Sequence, residues 1–531
     1  MPSGISYIIG NEAAERFSFY GMKAILAVFM TQYLINSTGE KDVMPEHEAS
    51  FWFHVFTIAT YGMPILGALL SDIFLGKYRT IILLSIVYCL GHLALAIDET
   101  RLGLTIGLTL IAIGSGGIKP CVSAHVGDQF GQGNSALINK VYNYFYLSIN
   151  FGSFVATLIT PLLLVSYGPH LAFGLPGLLM LLATIVFYAG RNKFIAIKPA
   201  GIKAYKKDLF SKQGLKALSG LSVIYFLFIS FFWALFDQTG STWVFQAMRM
   251  DKVVNLGFIQ FELLPSQIQA INPILILTLI PLFTFIIYPF IQKRINFSLI
   301  KRIMVGLFLA AIPFVVCALV EQQLVDGNKP SIIWQFVAYL FLTIAEILVS
   351  ISALEFAYTQ APNTMKSFIT SFYLLSVAAG NVITIAVTHF MIAPLPIANV
   401  IPGEQTYVEF VNTDISKDVS RISFEGISGL KYADEGGLQG TFFLAEADAS
   451  GTVYQILDAS KKPVSSIGEF KPGPTFKAAY SKLDGAAYFW FFAGMMFTVS
   501  ILFVFVAKNY KEEFYIQSEE DIEIDISIAE N

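Results

Sequence analysis

The chain has 531 residues, of which 55% are hydrophobic and only 14% are charged. Soluble domains carry about 25% charged residues, so this composition predicts an integral membrane protein that contacts the lipid bilayer. A formal net charge of −4 provides no basic surface, and we therefore exclude nucleic acid as a partner.

The sequence carries no motif for enzymatic or metal chemistry. HExxH, GxSxG and paired metal-ligand motifs are missing, so we expect neither an enzyme nor a bound cofactor. Cys89, Cys121 and Cys317 lie in apolar runs and form no CxxC pattern or disulfide framework. The N-terminus has no basic n-region, so its first apolar run is expected to be a retained span rather than a signal peptide.

Twelve apolar runs are long enough to cross about 30 Å of hydrocarbon. Alternate short loops between them are rich in Lys and Arg, including Lys77, Arg79 and Lys140. By the positive-inside rule, this asymmetry predicts that both termini are cytoplasmic. The spans lie near residues 12–35, 50–75, 79–98, 104–125, 139–165, 171–190, 219–246, 270–292, 301–321, 332–360, 367–393 and 484–508.

A basic segment, residues 191–218, divides these spans into two sets of six. A 6 + 6 arrangement with a central cytoplasmic linker is the layout of the major facilitator fold, in which substrate binds between the halves. Asp72, Gly76, Lys77 and Arg79 resemble the GxLaDxxxGrr signature of that superfamily. We predict an all-α membrane protein of 12 transmembrane helices in two six-helix bundles. Its parts are an N-terminal bundle 1–190, the linker 191–218, helices 7–11 in 219–393, an insert 394–483, helix 12 in 484–508 and a tail 509–531.

The insert 394–483 is polar and contains no run long enough to span a bilayer. It contains short alternating segments, QTYVEFV, SRISFEG, GTFFLAE and GTVYQILD, separated by turn residues. These segments predict a small β-rich extracytoplasmic insert. The tail is acidic, and its composition predicts disorder.

The first span carries four charged residues in the stretch NEAAERFSFYGMK, residues 11–23. At about 100° per residue, Glu12, Arg16, Tyr20 and Lys23 share one side of a helix, with Glu15 close to it. Each charge would cost roughly 2.5 to 3.5 kcal/mol at the bilayer centre, so this stripe must face protein or water. A snorkelling helix end would explain Glu12 but not Lys23, about 16 Å further along the axis.

Other spans also contain polar groups that are expensive in a membrane. Positive groups belong mainly to the N-terminal half, whereas Asp237 and Glu355 belong to the C-terminal half, which predicts a bipolar cavity suited to a zwitterion. Lys119 could instead be a helix-end lysine, and His54 could simply bond a backbone carbonyl. The remaining candidates are Tyr61, Tyr146, Asn150, Trp233, Asn272 and Glu346.

Several motifs resemble the proton-coupled oligopeptide transporter (POT) family. The run ExxERFSFYGM resembles its first-span ExxER motif, and FYLSINFGS, residues 145–153, resembles its fifth-span FYxxINxGS. GGIKPCVSA around Lys119, FWALFDQTGS around Trp233 and LEFAYTQAP around Glu355 are similar to three further blocks. Phe19 stands where the family has Tyr, and Lys23 stands where it commonly has Arg, which removes a bidentate donor.

The resemblance implies a symporter that imports di- and tripeptides with protons by alternating access. It is expected to act as a monomer in the plasma membrane, with the proton as coupling ion. Lys23 and Asp237 would form an outer gate. The implied proton-coupling residues are Glu12, Glu15, Arg16, His54 and Lys119. The implied substrate-binding residues are Arg16, Tyr20, Lys23, Tyr61, Lys119, Tyr146, Asn150, Trp233, Asn272, Glu355 and Thr359.

Two alternatives remain open from the sequence. The first is a nitrate or other small-anion carrier of the same family, although two carboxylates beside the site would repel an anion. The second is a peptide-sensing membrane receptor whose insert binds a partner.

Overall fold

A computed structural model describes most of the membrane part and the strands of the insert. The described residues are 2–130, 137–195, 199, 201–202, 211–255, 257, 260–359, 366–394, 397–401, 406–410, 422–428, 443–446, 454–457, 463–466, 471–481, 483 and 485–510. The middle of the basic linker and the acidic tail lie outside these residues.

Six long helices form the N-terminal half. Each begins and ends close to the limits of one predicted span, because the apolar runs are bounded by polar residues or by Gly76, Gly168 and Gly190. Their bounds are Ile5–Gln32 (α1), Glu46–Leu69 (α2), Lys77–Ile97 (α3), Arg101–Asp128 (α4), Ile138–Tyr167 (α5) and Pro169–Ala189 (α6).

The helices of the C-terminal half are more interrupted. The seventh helix, α7, comprises Lys212–Ile224, Ser230–Phe236 and Thr242–Arg249, and it therefore begins inside the predicted linker. The eighth, α8, comprises Ile271–Leu282 and Tyr288–Gln292. Helix α10 comprises Ile333–Glu346 and Ser352–Thr359, joined by a wide π-helical turn, Ile347–Ile351. The others are Leu299–Val325 (α9), Lys366–Met391 (α11) and Ala486–Asn509 (α12).

Eleven helices among the described residues are long and apolar enough to cross a membrane. The first helix, α1, has 28 residues, and it stands apart only because its charged residues lower its apolar content. Each predicted span thus corresponds to one helix. Among the described residues, the two largest hydrophobic cores lie mainly in one half each, although the N-terminal core also includes Val244 and Phe245 of α7. A smaller cluster around Phe283 and Leu348 joins α8 to α10.

The two halves meet where α2 packs on α11 and α5 packs on α8. Within the halves, glycines permit close helix crossings. A Cβ on Gly152 of α5 would lie 2.5 Å from the carbonyl oxygen of Ala13 on α1. A Cβ on Gly380 of α11 would lie 2.7 Å from the backbone nitrogen of Ala234 on α7. The glycine of the FYLSINFGS motif therefore allows α5 to pack closely against the charged first helix.

Among its described residues, the insert between α11 and α12 contains eight strands, and each predicted strand segment overlaps one of them. Two sheets form, in the orders β3-β10-β6 and β4-β5-β7-β8-β9. The strands are Ile392–Pro394 (β3), Ile397–Ile401 (β4), Thr406–Phe410 (β5), Ile422–Ser428 (β6), Phe443–Glu446 (β7), Tyr454–Leu457 (β8), Pro463–Ser466 (β9) and Lys471–Ser481 (β10). A short hairpin, Val253–Asn255 (β1) and Gln260–Glu262 (β2), follows α7.

Strands β3 and β10 form an antiparallel stem at the base of the insert. Ala393 pairs with Tyr480, directly after α11 and a few residues before α12. The ends of the insert are therefore close together, and the membrane helices on either side do not depend on the strands beyond the stem for their spacing.

If the chain is the transporter that the resemblance implies, we expect the strands beyond this stem to be dispensable for folding and for uptake. Replacing residues 397–477 with a Gly/Ser linker of about six residues keeps the β3–β10 pairing intact. The shortened chain should reach the membrane in normal amounts and retain uptake within about twofold, since every candidate cavity residue lies outside the deleted stretch. Loss of uptake at normal membrane levels would contradict this expectation.

Candidate functional site

An ion cluster occupies the N-terminal half of α1. Arg16 Nε lies 2.6 Å from Glu12 Oε1 and 3.1 Å from Glu15 Oε2. The first contact is a hydrogen bond, whereas the second is an ion pair without hydrogen-bond geometry. Glu15 Oε1 also accepts a hydrogen bond of 3.0 Å from Ser115 Oγ on α4. Both carboxylates are 1% exposed, so Arg16 supplies most of the charge compensation for this pair.

Lys119 lies between two aromatic rings. Its Nζ is 4.0 Å from the ring centroid of Phe19 and 4.3 Å from that of Tyr61. Among the described residues this buried ammonium has no hydrogen-bond acceptor. Phe19 stands where the resembled family has Tyr, so this position keeps the ring face but lacks the hydroxyl. Two cation–π contacts thus hold Lys119 in place while its hydrogen-bond donors remain available.

A second ion pair connects the two halves. Lys23 Nζ on α1 lies 2.9 Å from Asp237 Oδ1 on α7, and the two side chains are 12% and 5% exposed. Lys23 Nζ is also 5.1 Å from the ring centroid of Phe53. Burial makes the Coulomb attraction within this pair stronger than in a surface salt bridge. Separating the halves would leave two uncompensated charges.

A hydrogen-bonded chain extends from Asp237 to His54. Asn381 Nδ2 on α11 donates to Asp237 Oδ2 at 2.8 Å and to the carbonyl oxygen of Val377 at 2.9 Å. Its Oδ1 therefore faces His54 Nδ1, at 2.5 Å. In a neutral imidazole the proton must then sit on Nδ1, so Nε2 accepts from Ser241 Oγ at 3.3 Å.

The carboxylate of α10 that faces the centre is Glu346, which is partly buried. Asn272 Nδ2 on α8 donates to Glu346 Oε2 at 2.7 Å. Glu346 is within electrostatic reach of Tyr20 on α1 and Tyr146 on α5, and so it faces the opposite half. Glu355 has an exposed side chain. The described contacts do not connect it to this centre, and Tyr288 of α8 is one of its electrostatic neighbours.

The aromatic candidates surround the same region. Tyr146 is 39% exposed, and Asn150 donates to the carbonyl oxygen of Tyr146 one turn earlier. Trp233 is 8% exposed and packs on Phe236 and on Tyr373 of α11. Its indole N–H has no acceptor among the described residues. The side chain of Thr359 lies outside the described residues.

Four polar residues of the site were not selected from the sequence: Ser115, Ser241, Tyr373 and Asn381. Each is an uncharged polar residue in an apolar helix. Of these four, only Asn381 has a side chain whose burial in a membrane is clearly costly, because an amide has four hydrogen-bonding positions to satisfy. Within the described part of the chain, no group of His, Cys, Asp or Glu is arranged to hold a metal ion.

Comparisons with known proteins identify the family to which the chain belongs. The family model described as the POT family matches residues 78–211 and 209–399. The chain is 39% identical over 372 residues to human solute carrier family 15 member 2, which covers 61% of this chain and 49% of that protein. It is 38% identical over 368 residues to peptide transporter family 1 of Drosophila melanogaster, covering 61% and 48%. The chain thus spans about half the length of the curated relatives it matches.

Solved structures match over nearly the whole chain. An auto-inhibited POT family peptide transporter is 27% identical with a TM-score of 0.71, covering 97% of this chain and 99% of the other. The POT family transporter PepTSo is 30% identical with a TM-score of 0.69, covering 96% and 98%. These matches confirm the predicted major facilitator fold, with the β-rich insert as a minor addition. The chain belongs to the POT family.

Proposed function

We propose that this protein imports di- and tripeptides together with protons by alternating access. The observation that carries the proposal is the placement of two opposite charges at the centre. Among the described residues, Lys119 is a cation without a hydrogen-bond acceptor in the N-terminal half, and Glu346 is a partly buried carboxylate in the C-terminal half. Relatives named as peptide transporters support the same substrate class.

A free peptide is a zwitterion, and its two ends fit these two charges. The peptide carboxylate would take the donors that Lys119 leaves open, and the peptide ammonium would meet Glu346. An extended chain spans at most about 3.3 to 3.6 Å per residue, or roughly 7 Å for a dipeptide and 10 Å for a tripeptide. Two charges on facing bundles therefore limit the length of the peptide, while aromatic walls such as Tyr146 tolerate varied side chains.

Proton coupling would act through the carboxylates of α1. A carboxylate in a low dielectric is stable as an anion only while a cation or donor compensates it. Glu12 and Glu15 share Arg16. Any movement that takes Arg16 away, including its attraction to a peptide carboxylate, favours protonation of one of them. Lys23 and Asp237 would close the other entrance, with His54 attached to the same aspartate through Asn381.

The basic loops support a plasma-membrane orientation with both termini in the cytoplasm and the insert outside. On this orientation the Lys23–Asp237 pair lies towards the outside, and Glu12 lies towards the cytoplasm. The two ion pairs of α1 are then at different depths, as alternating access requires. We propose that one copy of the chain carries out the whole cycle, because both halves of the site belong to it.

A competition assay can show which carboxylate of α10 binds the peptide ammonium. It measures how well unlabelled peptides compete with a radiolabelled dipeptide for transport in proteoliposomes. The free dipeptide should compete at least about tenfold more strongly than its N-acetylated or C-amidated form. Each modified form lacks one charged end and would leave the protein charge facing that end unpaired. Glu346→Gln should reduce the penalty for acetylation, and Lys119→Gln should reduce the penalty for amidation. If Glu355→Gln alone reduces the acetylation penalty, Glu355 is the amine partner, as the sequence predicted, and the Glu346 assignment is wrong.

Removing either carboxylate of α1 should uncouple transport from the proton gradient. Glu12→Gln and Glu15→Gln are expected to lose at least about tenfold in gradient-driven accumulation, since a neutral amide cannot carry the proton. Peptide exchange without a gradient should remain measurable. Glu48→Gln is the matched control, because Glu48 belongs to a surface ion pair with Arg101. Full accumulation in both single variants would rule out this pair as the coupling site.

Exchanging the charges of the outer pair tests direct contact between the halves. Lys23→Asp and Asp237→Lys should each lower uptake by about tenfold or more, because each places two like charges together. The double variant should recover part of the activity. Recovery is expected to be partial, since Asn381 must rotate its amide to face a lysine at 237. The same exchange at the exposed pair Lys252–Glu262, 3.5 Å apart, should change little. A double variant no better than either single one argues against the gate.

A further inference from the structure

A second polar cluster lies behind α1, on the side away from the peptide cavity. Asn11, Glu15 and Ser18 fall within about 60° of one another on the helix, and roughly 100° or more from Arg16 and Tyr20. These three side chains are 0%, 1% and 0% exposed. They point into the N-terminal bundle rather than towards the C-terminal half.

Helices α3, α4 and α6 close this space. Ser115 of α4 donates to Glu15, and Ser18 donates to the carbonyl oxygen of Pro176 on α6 at 2.5 Å. Tyr88 of α3 is within electrostatic reach of Glu15. The ring centroids of Tyr88 and His92 are 5.0 Å apart.

His92 completes the enclosure on the α6 side. A Cβ on Gly177, the residue after Pro176, would lie 2.7 Å from the Cβ of His92. Pro176 is also the residue that accepts the hydrogen bond from Ser18. These contacts bring Glu15, Ser115, Tyr88, His92 and Ser18 together in one region between α1, α3, α4 and α6.

Many polar atoms bordering this space lack a protein partner. Among the described residues, the Ser85 hydroxyl and both amide atoms of Asn11 have no hydrogen-bond partner. The Tyr88 hydroxyl and the ring nitrogens of His92 have none of good geometry, although Ser115 lies near Tyr88 and the backbone of Phe173 lies near His92. The four residues that carry these atoms are 0% or 1% exposed. Asn11 is one turn before Glu15, and Ser85 is one turn before Tyr88, so both extend the space in one direction. Buried polar atoms without protein partners are normally satisfied by internal water.

We propose that the N-terminal bundle contains a closed, hydrated chamber that solvates the rear of Glu15 and thereby sets how readily Glu15 takes up a proton. Its polar wall consists of Asn11, Ser85, Tyr88, His92 and Ser115. The proposal rests on the proposed function, in which Glu15 is a proton-responsive carboxylate. It adds Tyr88 and His92 as positioning residues that never contact the peptide.

The charges around the chamber determine the direction of the effect. The groups facing Tyr88 and His92 are Glu15 and Arg16 from α1, Ser115 from α4, the backbone of Phe173 and of Pro176–Gly177 from α6, and Cys89 on α3 itself. Donors and water near Glu15 favour its anionic form. Removing a donor, or drying the chamber, should therefore let Glu15 accept a proton at higher pH.

The test measures gradient-driven uptake of a radiolabelled dipeptide by the full chain in proteoliposomes as a function of outside pH. Tyr88→Phe and His92→Leu should move half-maximal uptake to higher pH by about 0.5 to 1 unit. His92→Gln keeps a polar side chain that cannot titrate, and its midpoint should stay within about 0.2 unit of the unmutated chain. Tyr339→Phe, in the buried core of the C-terminal half, is the matched control. Peptide exchange without a gradient should stay within about twofold for all four variants.

A second readout does not depend on transport. Radiolysis of bound water oxidises the side chains beside it, so Tyr88 and His92 should be oxidised more than Phe29, which is also 0% exposed but lies in the apolar core. Oxidation of Tyr88 and His92 no higher than that of Phe29 would overturn the hydrated chamber. Unshifted midpoints in both Tyr88→Phe and His92→Leu, or an equal shift in His92→Gln, would overturn its effect on Glu15. Absence of gradient-driven uptake in the unmutated chain would instead overturn the proposed function, and the oxidation result would still decide whether the chamber exists.

Discussion

Charge compensation on α1 is the constraint on which the rest of the site depends. Arg16 and Lys23 lie on the same face of one helix, but they are compensated differently. Arg16 is paired with carboxylates of its own helix, whereas Lys23 is paired with Asp237 of the other half. The first pair survives any movement of one bundle against the other, and the second does not. A rigid α1 therefore links the charge state of the site to the relative position of the bundles.

The amide of Asn381 determines which group donates and which accepts in the hydrogen bonds that connect Asp237 to His54. It donates to Asp237 and to its own helix, so its oxygen can only accept from His54. Neutral His54 then accepts from Ser241, whereas protonated His54 would donate to it. A proton on His54 would thus turn the hydroxyl of Ser241 and add a positive charge near Asp237, in competition with Lys23. Three elements, α2, α7 and α11, meet at this chain of contacts.

The sequence was sufficient for the helices, the strand segments and the contact of Lys23 with Asp237. Apolar length predicted the spans, alternation predicted strands such as β5 and β8, and opposite charges predicted the approach of Lys23 to Asp237. It was not sufficient for Ser115 or Asn381, because hydroxyls and amides are common in membrane helices and their partners come from distant parts of the chain. The role of such a group can be inferred only when the packing of the helices shows which residues it contacts.

Glu346 and Glu355 show why motif resemblance alone does not place a side chain. They are nine residues apart, which is about 180° of helical rotation at 100° per residue, so a straight helix presents them on opposite faces. The π-helical turn Ile347–Ile351 lies between them and changes the phase further. The motif around Glu355 drew attention to that residue, whereas the phase of α10 directs Glu346 towards Tyr20 and Tyr146.

The two carboxylates of α1 are not equivalent, and the difference suggests an order of events on the proposed function. Glu15 accepts from Ser115 in addition to its contact with Arg16, whereas the described hydrogen bond to the side chain of Glu12 comes from Arg16 alone. If a peptide carboxylate attracts Arg16, Glu12 loses its donor while Glu15 keeps one. Glu12 would then take up a proton first, because an anion without a donor is the least stable form in a buried site. Glu15, supported by Ser115 on α4, would take up its proton second, so the groups around Glu15 would set when both carboxylates are neutral.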